Sequence, residues 1–211
     1  MYKERLVAKR HSQKEGIDFE ETFAPVAKLN TIRLIIDLAT KHHWKIHQLG
    51  VKSSFLNGDL KEEVYLVQPQ GFIKKGEDHL VCRLKKALYG LKRAPRSYYD
   101  KIDSFSIMHG YKWRKNDPNL YTVFNDEGQI VLISLYVDDP VMIRSAYNHI
   151  EEIKQQVSQK FEMKDLEEMY YCLGLEVWRD LSQNFLSQGK YAKSLLTKFK
   201  MDECKVAFVP L

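Results

Sequence analysis

Residues 130–143, IVLISLYVDDPVMI, constrain this chain more than any other stretch. Ile130, Val131, Leu132, Ile133 and Leu135 suit a strand covered on both faces, whereas Asp138 and Asp139 are poor strand formers and belong in a turn. The pattern predicts a buried hairpin with two carboxylates at its tip. Burying adjacent like charges is costly unless a cation neutralises them, so one reading is a divalent metal bound through oxygen. The other is a solvated Asp-Asp turn, a common surface feature. The residues alone leave both open.

A chain of 211 residues, 44% apolar and 29% charged, is long enough to bury a core and too apolar to be disordered, which predicts one globular domain. Cys82, Cys172 and Cys204 are too few and too widely spaced for a disulfide framework or a zinc site. With no signal peptide and no apolar run long enough to span a bilayer, the expectation is a soluble intracellular protein with no membrane partner. Lys and Arg outnumber Asp and Glu by 33 to 28, so placement matters more than the total. Between positions 74 and 101 the basic residues cluster: Lys74, Lys75, Arg83, Lys85, Lys86, Lys92, Arg93, Arg96 and Lys101 face only Glu77, Asp78 and Asp100. Such a run reads either as a solvated face or as a surface for nucleic-acid phosphate.

In order, residues 5–8 look like a short strand followed by a polar loop, and the start reads as a chain cut inside a domain. Asn30-Thr31 is expected to cap a helix with Ile32, Ile35, Ile36 and Ala39 on one face, widened by Leu34 and Leu38. His43 and His47 have metal-ligand spacing, but Trp44 and Ile46 signal a strand instead. Residues 44–58 then read as a strand ending at the Asn57-Gly58 turn, with 63–67 as the return segment. A short strand is expected at 81–84. Pro95 opens a helix with Tyr98, Ile102 and Phe105 on its face and Gly110 past its end; its amino terminus, beside a basic loop, suits phosphate. Strands at 120–124 and 130–136 precede the acidic tip. A helix striped by Ala146, Ile150, Ile153, Val157 and Phe161 follows, then a hairpin from 170–178 and 184–187, and a helix over 191–199. The order suits an α+β domain, an antiparallel sheet with helices on one face.

Several segments carry one resemblance: RLVAKRHSQKEGIDFEETFAPVAKLNTIR, HQLGVKSSFLNGDLKEEVYLVQPQGF, CRLKKALYGLKRAPRSYYD, KNDPNLY, LYVDD and KFEMKDLEEMYYCLGLEV. Together they resemble the reverse transcriptase, an RNA-directed DNA polymerase, of copia-type retrotransposon Pol polyproteins. The resemblance covers residues 1–211 and implies a right-hand polymerase fold: partial fingers at about 1–43 and 60–95, a palm at about 44–59 and 96–175, and the start of a thumb at about 176–211. It implies nucleotidyl transfer by two metal ions, Mg2+ or Mn2+, with template–primer and deoxynucleoside triphosphates as partners, in a cytoplasmic particle or the nucleus. Asp138 and Asp139 match the YxDD carboxylates, Tyr136 before them resembles a primer or template contact, and Val51 matches a backbone metal ligand. Phe55 matches the aromatic gate under the sugar. Tyr89 and Gly90 resemble the nucleotide and template site, and Arg93 in the loop beyond it resembles a primer or template contact. Arg5 and Lys3 resemble the cations that grip triphosphate. Leu173 and Gly174, with Leu175, resemble the hairpin that grips the primer.

The departures from that family are specific. HQLGVKSSFLNG stands where the family has HQLDVKSAFLNG, so Gly50 replaces the third catalytic carboxylate. Gln48 and Lys52 share its strand face but are neutral or cationic, and Asp59 lies beyond the turn. Pro140 replaces an aliphatic residue and removes a ladder donor. Arg10, Arg93, Arg144 and Glu167 stand where the family has Gly, Gln, Gly and Gly, and bulk at a Gly position is often incompatible with its backbone. A truncated, decayed and catalytically inactive copy is the expectation. A working polymerase and an unrelated basic nucleic-acid-binding domain are the alternatives.

Overall fold

The computed structural model describes residues 6–124, 128–136, 140–144, 148–180 and 183–205. Five of the expected positions, Lys3, Arg5, Asp138, Asp139 and Ala146, lie outside them.

Residues 6–28 are irregular apart from a 3-10 turn at Arg10–Ser12 and an isolated bridge between Glu15 and Phe19, so the strand expected at 5–8 is not formed over its described part. Helix α1 (Leu29–Lys41) buries Thr31, Ile32, Ile35, Ile36 and Ala39 as its periodicity requires, while Leu34 stays half exposed. Its expected cap is absent. Lys28 occupies the N-cap, and the Thr31 hydroxyl instead donates to Asp117 Oδ2 at 2.5 Å. His43 leaves the helix at a positive φ of 55°, and His42 stacks on Trp44 at 4.7 Å, so the first strand starts after that pair. The strands are β1 (Ile46–Val51), β2 (Tyr65–Val67) and β3 (Val81–Arg83). Helix α2 (Ala94–Met108) has Pro95 in its first turn and Gly110 just beyond its end at φ 78°. Then come β4 (Lys112–Arg114), β5 (Asp117–Phe124), β6 (Ile130–Ser134) and β7 (Val141–Arg144). Helix α3 (Asn148–Lys160), β8 (Met163–Glu168), β9 (Tyr171–Cys172), β10 (Leu175–Arg179), β11 (Asn184–Ser187) and α4 (Gly189–Lys198) complete the order.

The main sheet runs β4-β5-β6-β7-β1-β8, with every adjacent pair antiparallel. A three-stranded sheet, β11-β10-β9, and the β2-β3 ribbon are separate from it. Two expectations are corrected here. The helices do not share one face: α2 and α3 pack with Leu49, Val51, Val131, Ile133 and Met142, whereas α1 packs with Ile46, Leu132, Val141 and Ile143 on the other side. The central strands are apolar on both faces, and each face needs a cover. The residue 63–67 segment is not the return arm of β1, because Ser54–Asn57 forms a 3-10 turn and β2 pairs with β3.

The sequence reading also missed both edge strands. All three β4 residues are exposed and β8, MKDLEE, is mostly so, and neither shows the apolar alternation of a half-buried strand. Short, charged strands of this kind protect a sheet edge. Lys154 of α3 fastens β8 by reaching Asp165 Oδ2 at 2.6 Å.

Candidate active site

The acidic hairpin forms as its pattern predicts up to the edge of the described residues. β6 and β7 pair from Val131↔Arg144 to Ser134↔Val141, and Leu135 donates its N–H to the Asn119 carbonyl at 2.9 Å. β1 lies along the other side of β7, pairing Ile46↔Ile143 through Gln48↔Val141. The next N–H, of Leu49, donates to the Pro140 carbonyl at 3.0 Å. Gly50 follows Leu49 at the same end of the stem, half-buried, and pairs on its far side with Lys164 of β8. Tyr136, half-buried, is the last described residue before the tip.

No neighbour on this strand supplies what Gly50 lacks. Lys52 is paired with Glu162 at 2.5 Å, and Asp59 is paired with Lys101. Val51 is buried in the α2 and α3 core and pairs with Met163. The chain then turns through Ser53, at φ 50°, into the 3-10 turn that carries Phe55. Phe55 and Tyr89, far apart in sequence, come together with ring centroids 5.0 Å apart, and Tyr98 of α2 stands edge-on to Phe55.

Gly90 adopts φ 88°, and a Cβ there would overlap the Ala8 carbonyl oxygen. This close approach requires glycine. The Tyr89 carbonyl accepts from Ala8 N–H at 2.7 Å. Gln13, which the sequence reading gave no role, spans the same loop: its Nε2 donates to the Gly90 carbonyl at 2.9 Å and its Oε1 accepts from Lys92 N–H at 2.7 Å. A single Gln in a polar loop carries no pattern that reveals such a brace. Arg93, expected to contact primer or template, is instead buried and ion-paired with Glu62.

Leu173 and Gly174, at φ 52° and 80°, form the two-residue turn between β9 and β10, the geometry of a tight hairpin. Beside it a groove of about 580 Å3 is lined by Gln48, Lys164, Asp165, Tyr170, Tyr171 and Lys190. The Lys190 ammonium lies 5.6 Å from the Tyr171 ring centroid. Among the substituted family glycines, Glu167 takes a left-handed φ of 62°, whereas Arg10 and Arg144 do not. The expected backbone conflict is therefore met at one position and not at the other two.

Comparison with known proteins fits this arrangement. The family model described as "Reverse transcriptase (RNA-dependent DNA polymerase)" matches residues 1–211. The chain belongs to the reverse transcriptase family. Within it, the chain is 42% identical over its full length to a retrovirus-related Pol polyprotein from transposon TNT 1-94 of Nicotiana tabacum. It is 38% identical to the corresponding polyprotein from transposon RE1 of Arabidopsis thaliana, again over the full chain. A Gag-Pol polyprotein of transposon Ty1-ER2 from Saccharomyces cerevisiae is 28% identical over 91% of the chain. The copia-type character expected from the motifs is thereby established, and the alternative of an unrelated basic domain is set aside. This reverse transcriptase segment spans 16% of the tobacco polyprotein and 14% of the Arabidopsis one. Among its described residues no helix is long and apolar enough to cross a membrane.

Proposed function

We propose that this reverse transcriptase domain keeps the architecture for template-directed nucleotidyl transfer but lacks the carboxylate set the reaction needs, and is catalytically inactive. The Leu49 N–H to Pro140 carbonyl hydrogen bond carries this reading, because it sets Gly50 at the end of the stem from which Asp138 and Asp139 project in sequence. In the reaction the primer 3′ hydroxyl gives up its proton and attacks the α-phosphorus as pyrophosphate leaves. Two metal ions ordinarily hold the attacking and leaving oxygens.

The residues beside the stem do not fit a two-ion site. Gly50 has no side-chain oxygen, and Asp59, beyond the turn in sequence, is already paired with Lys101. What remains in this reading is a single Mg2+ or Mn2+ held weakly by Asp138 and Asp139. The main sheet with α2 and α3 serves as the palm, the β2-β3 ribbon belongs to the fingers, and α4 begins the thumb. Phe55, Tyr89 and Gly90 form the nucleotide pocket, with Lys3 and Arg5 as triphosphate contacts. Val51 supplies its backbone oxygen to the site. Tyr136 and the groove beside Leu173 and Gly174 receive the primer, while Arg93 supports the template loop through Glu62 rather than by touching phosphate.

Primer extension on a homopolymer template, with Mg2+ or Mn2+, tests the reading. The unmodified chain is expected to give no product. Gly50→Asp combined with Pro140→Leu is expected to restore a trace of extension, and either change alone less. A missing ligand of this kind is worth several kcal/mol of transition-state stabilisation. Extension by the unmodified chain would overturn the reading.

A further inference from the structure

Among the described residues, β2 and β3 pair with each other and with no strand of the main sheet. Their register sets Leu66 opposite Cys82 and, on the other face, Tyr65 opposite Arg83 and Val67 opposite Val81. The first face is covered where Leu66 packs against Val64, Ala87 and Leu91. The second is bare: Val67 is 80% exposed, and Tyr65 and Val81 are half exposed. The connecting loop adds Phe72, 81% exposed, with Ile73 and Leu80. Gln68 fixes the shape of that loop, its Nε2 donating to the Glu77 and Leu80 carbonyls at 2.7 and 3.1 Å and its Oε1 accepting from Lys74 N–H at 3.0 Å. A two-stranded ribbon is marginal in water by itself, and strands that are apolar on both faces need both covered.

We infer that the bare face of this ribbon is where two copies of the chain associate, in an isologous dimer. Two observations select a second copy as the occupant. Tyr65, Val67, Phe72, Ile73, Leu80 and Val81 together expose roughly 700 Å2, above the largest patch of a typical monomer and close to the ~800 Å2 that each partner gives to a standard stable interface. The charges on the face also cancel within one copy. Arg83 Nη2 lies 2.6 Å from Glu63 Oε1, and the Tyr65 hydroxyl donates to Glu63 Oε2 at 2.9 Å. A face that is apolar and locally neutral attracts neither phosphate nor a charged peptide, but it meets its own copy without like-charge repulsion. Four of the six residues are aliphatic and have no ring on which a base could stack. The association does not depend on polymerase activity.

Sedimentation velocity over a concentration series of the unmodified chain tests this. A monomer–dimer equilibrium is expected, with a dissociation constant of about 10 μM or tighter. It should persist as salt is raised, because apolar burial rather than charge drives it. Val67→Lys should weaken association at least about tenfold, since each copy then buries an unpaired ammonium. Val67 is exposed in the single chain, so its fold is unaffected. Phe72→Ser, outside the strands, should weaken association as well and decides the matter if Val67→Lys disturbs the ribbon. Leu195→Lys, at an exposed apolar position of α4, should leave the dimer as it is. The proposal is overturned if the unmodified chain is monomeric at about 100 μM, well above the expected dissociation constant. It is equally overturned if the dimer survives both Val67→Lys and Phe72→Ser, or if Leu195→Lys dissociates it as well as they do. A single-stranded oligonucleotide that binds the unmodified chain and loses affinity on Phe72→Ser, with no dimer formed, would assign the face to nucleic acid instead.

Discussion

Glu167 holds a φ of 62° with its side chain exposed, and its N–H is fixed by Asp165 Oδ1 at 2.8 Å. A left-handed backbone costs a non-glycine residue roughly 1–2 kcal/mol, partly offset in glycine by the entropy lost on folding. Glu167→Gly should therefore stabilise the chain by about 0.5–1 kcal/mol, seen as a higher urea midpoint with unchanged slope. Tyr111 poses the opposite problem, since it is only 5% exposed and its hydroxyl donates to Gln156 at 3.1 Å. Burial pushes its pKa up to about 12. With the folded value above the unfolded value near 10, the stabilising contribution is intact below pH 10 and disappears as pH rises through 12. That linkage is worth roughly 2 kcal/mol. Urea titrations between pH 9 and 12 should show this decline, and Tyr111→Phe should flatten it while losing about 1 kcal/mol at neutral pH.

At the scale of elements, the amino-terminal segment and the loop before α2 behave as one unit. Ala8 bonds to Tyr89, Gln13 clasps Gly90 and Lys92, and the Lys92 ammonium lies 4.6 Å from the Phe19 ring centroid. Gly90 lets the two strands of chain approach this closely. Gly90→Ala introduces a Cβ at a positive φ and against the Ala8 backbone, so overpacking and strain act together. The expected loss is about 2–3 kcal/mol. Hydrogen exchange locates it: the Ala8 amide should lose protection, while amides of the β6-β7 ladder keep theirs. Equal loss in both places would mean that the segment is not a separate unit.

For the whole molecule, charge placement decides how nucleic acid is met. Of the nine basic residues between positions 74 and 101, Lys74, Arg83, Arg93, Arg96 and Lys101 are in ion pairs, and Lys92 is held by Gln13 and Phe19. Lys75, Lys85 and Lys86 remain exposed with no ion pair among the described residues. Template–primer duplex should bind weakly and without sequence preference, with log affinity falling against log salt at a slope of about −3, one released counterion for each lysine. Filter binding over a salt series measures it, and a slope near −8 would mean that the paired cations also reach phosphate. The sequence by itself determined the family, the α1 and α3 faces, the limits of α2 and the paired strands β6 and β7, because these follow from periodicity, turn residues and ordered motifs within short windows. Only the tertiary structure decided that helices cover both faces of the sheet, that β8 borders β1, that β2 turns to β3 and that Arg93 is buried against Glu62. Strand partners and ion pairs join residues distant in sequence, and the energy that selects them comes from contacts no local pattern contains.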